Sequence, residues 1–564
     1  MQGHIDRREL AASIEKFALA NAVMHGGKAQ VGPIIGKLIA ENANLRLHLK
    51  EIQPEIAKIV SKINKLSLSE QEAMLREEWP DFFEPKTAPK PKTLPPLANA
   101  IKGKVVMRFA PSPSGLLHLG GAYPLLLNSE YCKMYDGKLL LRLDDTDPER
   151  VELENYKAIE EDAKWITENN IDKVIVQSNR MSHYYKRAKE VLRAQHAYVC
   201  VCESKKWKKL MLKGRACPCR ELPVSEQLKR WKQMLNGTIP AGGAVVRIKT
   251  NLQDPNPALR DWPALRICET PHPLQKKKYR VWPLMNFAVA VDDHELGITH
   301  SVRAKDHMDN ERKQNLLQKK MGWNVPIGIH VARIVFTDIE LSKRKLAAAI
   351  KAGKYTGWDD VRLATLKALK RRGYQPAALA KFYTIGIGLS QSDKKVSAKD
   401  FFQNLNALNR ELIDKKANRY WFVPNPVKIS IIGAPKVREV EAKLHPDKKA
   451  VRKIKVGKTI FVAKSDLEKF KGKEVRLMHL YNIVLGKKAK FTSEENKPIQ
   501  KIQWVSDDNI KTEVLMPDGK IISGLAEANT QKLKIDDIIQ FERFGFCRLD
   551  KKLKGKLIFC YAHN

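Results

Sequence analysis

The stretch Arg108-Phe109-Ala110-Pro111-Ser112-Pro113-Ser114-Gly115-Leu116-Leu117-His118-Leu119-Gly120-Gly121 decides how this chain is built. It follows the strand-like run Lys104-Val105-Val106-Met107 and precedes a helix-like stretch over 122–135. Its prolines and glycines let the backbone turn tightly and approach a ligand closely, and the helix beyond aims free N–H groups at an anion. Far downstream stands Leu341-Ser342-Lys343-Arg344-Lys345. Three cationic side chains around one hydroxyl suit a transferring phosphate. Singly, a Gly-rich turn is weak evidence and a basic run is usually a solvated face. Their pairing carries the weight.

Together the two segments resemble the HIGH and KMSKR signatures of class I aminoacyl-tRNA synthetases, reading HLGG and ELSKR here. Leu141-Arg142-Leu143-Asp144-Asp145-Thr146-Asp147-Pro148 is similar to the LRxEDTDP strand end of glutamyl- and glutaminyl-tRNA synthetases. Val291-Asp292-Asp293-His294-Glu295-Leu296-Gly297-Ile298-Thr299-His300, with Val302 and Arg303, resembles their VDDxxxGITHxxR segment. Gly357-Trp358-Asp359-Asp360, with Arg371-Arg372-Gly373-Tyr374, is similar to a region of their archaeal and eukaryotic branch. Across its length the chain resembles a glutamyl-tRNA synthetase of the archaeal type. The resemblance implies ATP-dependent activation of glutamate, with Mg²⁺ accompanying ATP, and transfer to the terminal adenosine of tRNA(Glu); tRNA(Gln) stays open as a second acceptor. A glutaminyl-tRNA synthetase and a catalytically silent tRNA-binding paralogue are the alternatives.

At 564 residues and 43% hydrophobic, the chain can bury several cores. Its net charge of +39 suits a polyanionic partner. The basic residues are interspersed with apolar ones, which argues for a folded basic surface over a disordered tail. No apolar run is long enough to span a bilayer, and Asp6, Arg7, Arg8 and Glu9 interrupt any signal-peptide core. A cytoplasmic protein without membrane attachment is expected, as a monomer. Eight cysteines in this length do not make a disulfide scaffold.

The pattern predicts a multidomain α/β protein. A helical extension covers 1–83, where apolar residues such as Leu38, Leu45, Leu47, Ile52, Ile56, Ile59 and Ile63 recur at helical spacing. A Pro/Lys-rich linker follows at 84–100. The first half of a Rossmann-type catalytic domain spans 101–196, an insertion 197–280, and the second half, with the SKR loop, 281–350. Candidate strands lie at 105–108, 139–143, 173–176 and 330–334. A helical region over 351–425, expected to contact the tRNA stem, leads into 426–564. There, short β-like runs between Gly, Asp and Lys turns suggest antiparallel barrels, and the resemblance makes this the anticodon-binding domain. No internal repeat is visible.

Activation develops negative charge on phosphate oxygens, so the site needs cations and backbone dipoles more than a general base. His118, Ser342 and Lys343 are the expected catalytic residues, and Gly115, Gly120, Gly121 and Arg344 join them around ATP. Gly121 replaces the last His of HIGH, and Glu340 replaces the first Lys of KMSKR, where an acid facing ATP would repel it. By resemblance, Arg108 and Arg303 line the glutamate pocket and Asp144 accepts from the substrate ammonium. Arginine grips carboxylates with paired, charge-assisted bonds. Glutaminyl enzymes generally place a neutral residue at Arg303, so it separates the two substrates. Met285 cannot supply the hydroxyl that relatives offer at its position.

Cys200-Val201-Cys202 and Cys217-Pro218-Cys219 can converge four thiolates on a tetrahedral metal, Zn²⁺ best fitting the donor set. The alternative is four reduced thiols or a redox pair. For tRNA, Arg362, Arg371 and Arg372 are candidate phosphate contacts, and Trp504 and Arg543 candidate anticodon contacts.

Overall fold

The computed structural model describes residues 7–41, 45, 48–82, 93–457 and 459–564. These fall into two compact units, 1–92 and 93–564. Leu47 and positions 84–92 of the expected linker lie outside the described residues.

The first unit contains α1 (Arg7–Met24), α2 (Val31–Glu41), α3 (Leu49–Ile63) and α4 (Leu68–Glu78). Ile56 and Ile63 of α3, two turns apart, are buried with Ile14, Leu19, Ile34, Leu38 and Leu75 in one core. Helix α4 starts on a capping box in which the Ser67 side chain accepts from Glu70 N–H and the Glu70 carboxylate accepts from Ser67 N–H.

The second unit begins earlier than the sequence suggests. Residues 93–100 are packed against the helix at 119–134 and its C-cap: Leu97 is buried, its N–H donates to Tyr135 Oη (2.9 Å), and Tyr131 Oη donates to Pro95 O (3.0 Å). Proline-rich composition reads as linker, yet extended backbone serves equally well as a strap over a core.

The catalytic sheet starts with β1 (Val106–Phe109). It is followed by α5 (Leu119–Met134), β2 (Lys138–Leu143), α6 (Glu154–Ile166), β3 (Lys173–Val176) and α7 (Met181–Arg193). β1, β2 and β3 are parallel and adjacent in that order. The insertion carries β4 (Ala197–Cys200), α8 (Ser204–Leu212), α9 (Val224–Asn236), β5 (Val245–Ile248), β6 (Pro263–Ile267) and β7 (Val281–Pro283). Its four strands form an antiparallel sheet in sequence order, so the insertion's sheet runs on to 283, past the expected end at 280. The chain returns through α10 (Met285–Glu295), β8 (His300–Ala304), α11 (Met308–Lys320) and β9 (Ile327–Val331), with β8 and β9 parallel. Thr299 joins the halves: its N–H donates to Val106 O (2.9 Å) and its hydroxyl accepts from Val106 N–H (3.0 Å). The order is therefore 3-2-1-8-9, reversing beside β1. Ligands of such sheets bind outside the carboxyl ends of the strands at that reversal. The expected strand over 330–334 is instead the junction of β9 with β10 (Ile334–Phe336), which pairs with β11 (Lys394–Val396).

Helices α12 (Lys343–Lys351), α13 (Leu366–Arg372), α14 (Pro376–Lys381) and α15 (Ala398–Ile413) form the helical region. The β region begins at 418, before the expected 426. Residues 418–424 are one strand broken at Trp421 into β12 (Asn418–Tyr420) and β13 (Phe422–Pro424). Next come β14 (Pro426–Ile432), the hairpin β15 (Glu439–Lys443) and β16 (Val451–Lys455), β17 (Ile460–Ala463), α16 (Lys464–Phe470) and β18 (Glu474–Leu477). Then follow β19 (Asn482–Val484), β20 (Lys488–Ser493), β21 (Lys501–Ile502) and β22 (Trp504–Ser506). The last five are β23 (Asn509–Leu515), β24 (Ile521–Glu527), β25 (Ile538–Phe541), β26 (Gly545–Leu553) and β27 (Lys556–His563).

Two sheets result, ordered 12-25-26-27-23-24-13 and 21-18-19-20-14-17-22. In each, the two end strands are neighbouring pieces of one chain segment, so each sheet closes on itself. Both also run parallel, antiparallel, antiparallel, parallel, antiparallel, antiparallel around the ring. Two expectations are corrected here. The sheets are mixed, and they repeat each other: a hairpin, a helical turn and a three-strand meander recur, with one copy inserted after the first strand of the other. The repeat is one of connectivity, which residue identities do not display.

Candidate active site

The turn leaving β1 is built for close approach. Gly115 has φ +153°, and a Cβ there would lie 3.0 Å from Lys343 Cβ. His118 is the N-cap of α5, its Nδ1 accepting from Gly120 N–H at 3.1 Å. That bond requires the proton on Nε2, so the imidazole is a donor on its other side. Burial, helped by the Lys343 charge, presses His118 down to about 4, and the ring is neutral. A Cβ on Gly120 would sit 3.1 Å from His118 Cε1, so this glycine seats the ring. Gly121 has only ordinary contacts around its missing Cβ and opens toward Phe109.

Lys343 folds directly onto this turn. Its Nζ donates to Gly115 O (2.9 Å) and Ser112 O (3.4 Å), and burial lowers its pKa to about 8. The two signature segments are thus one site. Ser342 is exposed at the N-cap of α12, and Arg344 is exposed beside it. Glu340 is turned away from the turn: one carboxylate oxygen accepts from Ser342 N–H (2.8 Å) and the other pairs with Lys345 (2.8 Å).

Beside them opens a cavity of about 450 Å³ at the carboxyl ends of β1 and β8. Its walls include Arg108, His118, Gly120, Gly121, Asp144 and Arg303. The three residues expected at the substrate differ in freedom. Arg108 is buried and doubly bonded to Asp293 (2.6 and 2.8 Å). Asp144 accepts from Arg142 (2.7 and 3.2 Å), while burial raises its pKa against that pull. Arg303 has no carboxylate within ion-pair distance among the described residues, and its Nη1 donates to Gln314 Oε1 at 2.8 Å. Burial foremost, then the like charge of Arg108, lowers its pKa to about 10. An unpaired guanidinium in a cavity is the strongest sign that an anion belongs there. Met285 stands on the wall half-exposed and offers no hydroxyl.

The sequence reading gave no role to the acids beneath this wall. Asp293 joins Arg108 to Arg142 (2.8 Å), and the neighbouring Asp292 accepts from Gln177 (2.9 Å), Arg180 (2.8 Å) and Tyr184 (2.7 Å). Two adjacent acids following the apolar run Phe287–Val291 of α10 were the available signal. His307, also on the wall, went unread.

In the insertion, the four predicted thiols converge. All four Sγ atoms lie within 4.8 Å of one another, with Cys200–Cys217 at 3.9 Å and Cys202–Cys219 at 3.7 Å. A tetrahedron with Zn–S bonds of about 2.3 Å has edges near 3.8 Å, so the donor set fits zinc. Gln227 ties the two pairs together, accepting from Val199 N–H (2.7 Å) and donating to Cys219 O (2.8 Å). Arg230 Nη1 donates to Cys219 Sγ at 3.2 Å.

The expected tRNA contacts need correction. Arg372 is buried, donates to Ala562 O (3.0 Å) and stacks on Tyr374 and Phe402. Arg371 bonds Asp550 (2.8 Å) on β26. Both fasten α13 to the closed sheet. Trp504 is fully buried, its Nε1 donating to Met478 O at 2.9 Å. Arg362 and Arg543 keep some exposure, though each grips a carboxylate, Asp360 and Asp466 respectively. Spacing could not show which faces of these elements point inward.

Residues 104–414 match the family described as tRNA synthetases class I (E and Q), catalytic domain. Residues 417–503 and 501–550 match two families described as tRNA synthetases class I (E and Q), anti-codon binding domain. The chain is 45% identical to the glutamate–tRNA ligase of Thermococcus kodakarensis, covering 99% of this chain and 100% of that one. It is 46% identical to the one from Pyrococcus abyssi (97% and 99% covered) and 43% identical to the one from Methanocaldococcus jannaschii (97% and 99%).

Proposed function

The chain belongs to the archaeal-type glutamate–tRNA ligases, and from that premise we propose that the cavity beside the signature turn is where it joins glutamate to ATP. The free Arg303 guanidinium carries this reading. It takes the side-chain carboxylate, while Asp144, held by Arg142, accepts from the substrate ammonium. Arg108 is fixed by Asp293 and contributes its field and shape. A uniformly cationic wall would repel the ammonium; Asp144 beside it separates the two ends of the amino acid.

ATP lies over Gly120 and Gly121, within reach of the His118 Nε2–H, accompanied by Mg²⁺. An α-carboxylate oxygen of glutamate forms a bond to the α-phosphorus, and the bond to the bridging oxygen breaks. Pyrophosphate leaves with the electron pair. Lys343, one rotation away from the carbonyls of Ser112 and Gly115, swings onto the developing charge. In the second step, a hydroxyl of the tRNA's terminal adenosine attacks the acyl carbon, AMP departs, and the hydroxyl proton passes to a phosphate oxygen. Cys200, Cys202, Cys217 and Cys219 hold a structural Zn²⁺ that fixes the insertion against the acceptor end. The closed sheets receive the anticodon of tRNA(Glu), with Arg362 and Arg543 as the remaining candidate contacts.

Arg303→Cys tests the reading. Removing one side of a buried charged contact costs roughly 3–5 kcal/mol. The ratio of kcat/KM for glutamate over glutamine in tRNA charging should therefore fall by about 100-fold or more. Faster charging with glutamine by the wild-type protein, or an unchanged ratio in the variant, would refute it.

A further inference from the structure

We propose that Arg303, Gln314, Asn286, Asn310 and His307 form a one-way hydrogen-bond relay that fixes His307 as an N–H donor into the cavity. It thereby makes the side-chain end of the amino-acid pocket a two-donor site for a carboxylate. The inference deepens the glutamate reading of this pocket and rests on it for the substrate, but not for the relay itself.

The direction follows from one residue that can only donate. A guanidinium has no acceptor, so the 2.8 Å contact from Arg303 Nη1 must meet the carbonyl oxygen of Gln314. The Gln314 amide nitrogen then points onward and donates to Asn286 Oδ1 at 3.0 Å. This orients Asn286 in turn, and its Nδ2 donates to Asn310 Oδ1 at 3.2 Å. The Asn310 nitrogen is left facing His307 Nδ1 at 3.2 Å. An amide nitrogen offers only hydrogens, so Nδ1 must be the unprotonated nitrogen and Nε2 must carry the proton. Three amides in series leave no member free to flip without placing two donors or two acceptors face to face.

Arg303 and His307 both stand on the cavity wall, four residues apart across the end of β8. Burial, then the Arg303 charge, lowers the His307 pKa to about 4, so the ring enters neutral and its tautomer matters. The titratable groups facing it are Arg303, Asp306, Arg108 and His330. A carboxylate accepts from Arg303 and from His307 Nε2–H together. The amide of glutamine satisfies one of them and turns its own hydrogens against the other. Gln314 is buried, which holds the relay's first link rigid.

Asn310→Asp separates this relay from a merely structural contact. An aspartate at 310 still accepts from Asn286 but offers nothing to His307 except acceptors. The His307 proton must then move to Nδ1, leaving Nε2 bare toward the cavity, while the bond between Arg303 and Gln314 persists. In ¹⁵N-histidine-labelled protein without amino acid, at about pH 8.5, wild-type His307 should show an unprotonated Nδ1 and a protonated Nε2. Its signal is assigned by its loss in His307→Gln, and Asn310→Asp should show the reverse pattern. KM for glutamate should rise about tenfold with kcat changed less than threefold, and preference over glutamine should shrink. Gln314→Glu is the second variant. It reverses the chain from its origin and gives Arg303 a fixed anion, so its loss of glutamate affinity should exceed that of Asn310→Asp. A protonated Nδ1 in the wild-type protein, or an Asn310→Asp variant with unchanged tautomer and KM, would overturn the relay. Unaltered selectivity in Arg303→Cys would instead remove the glutamate pocket and leave the tautomer result standing.

Discussion

The proposed active-site cavity and the region of the paired closed sheets both hold arginines, but they use them in opposite ways. In the cavity, Arg303 is held by a neutral amide and has no carboxylate within ion-pair distance among the described residues, while Arg108 is spent on Asp293 to stiffen the wall. Against the sheets, Arg452 of the β15–β16 hairpin lies buried on Glu527 of β24 (2.8 Å) under Tyr420 and Trp421, and Arg371 of α13 is bound to Asp550 of β26. The difference shows that a cation becomes functional through its missing partner. Arginine positions alone do not reveal which case applies.

Lys343 gives the largest expected effect on the cavity side of this contrast. Its ammonium rests on two carbonyls and has no carboxylate partner among the described residues, so it is available to phosphate. Lys343→Ala should lower single-turnover adenylate formation by about 10²–10³-fold, roughly 3–4 kcal/mol, with a much smaller change in ATP affinity. Burial depresses its pKa to about 8, so the charged form is lost as pH rises through that value. kcat/KM for ATP in the wild type should fall above it, and Lys343→Arg should push the fall upward. Normal activation by Lys343→Ala would put the signature loop outside the chemistry.

That loop and the turn at 108–121 were legible because the chemistry dictates residue type and order there. A histidine at the helix cap, glycines where a Cβ would strike His118, and a lysine after a hydroxyl are hard to place otherwise. The sheet order followed less directly: β8 lay within a recognised segment but did not read as a strand, being short and polar at His300 and Arg303. The buried partners of the site stayed hidden. Asp293 meets Arg108 and Arg142 across separations of 185 and 151 residues, and Gln314 meets Arg303 and Asn286 on other elements, contacts that no spacing rule encodes. In the closed sheets the short β-like runs between turn residues announced strands, but their doubled connectivity depends on which strands pair.

The cysteine tetrad lies between these extremes, and its removal should have an intermediate effect. Cys202→Ser with Cys217→Ser should release about one zinc per chain and raise amide hydrogen exchange across 197–280, because structural zinc contributes folding energy directly. Adenylate formation should suffer less than transfer to tRNA. Wild-type protein purified with zinc and without chelators should contain the metal by elemental analysis. Its absence would leave Gln227 and Arg230 supporting a reduced thiol cluster.

Trp504 is where the contrast predicts the least. Its indole is fully buried in the second closed sheet, near Trp421 (ring centroids 5.4 Å apart), and its N–H is committed to Met478 O. A base-reading tryptophan must present a face to an unstacked base, and stacking of that kind is worth about 1–3 kcal/mol. Trp504→Phe keeps most of the packing while removing the N–H, which leaves the Met478 carbonyl without its donor. The cost should be about 1 kcal/mol of stability, read as a small fall in Tm. KM for tRNA should stay within about twofold of wild type, a far smaller change than the loss of a stacking contact gives. If KM for tRNA rose tenfold with Tm unchanged, the indole would have to leave the core to meet the anticodon, and burial would cease to separate brace from contact in this half of the molecule.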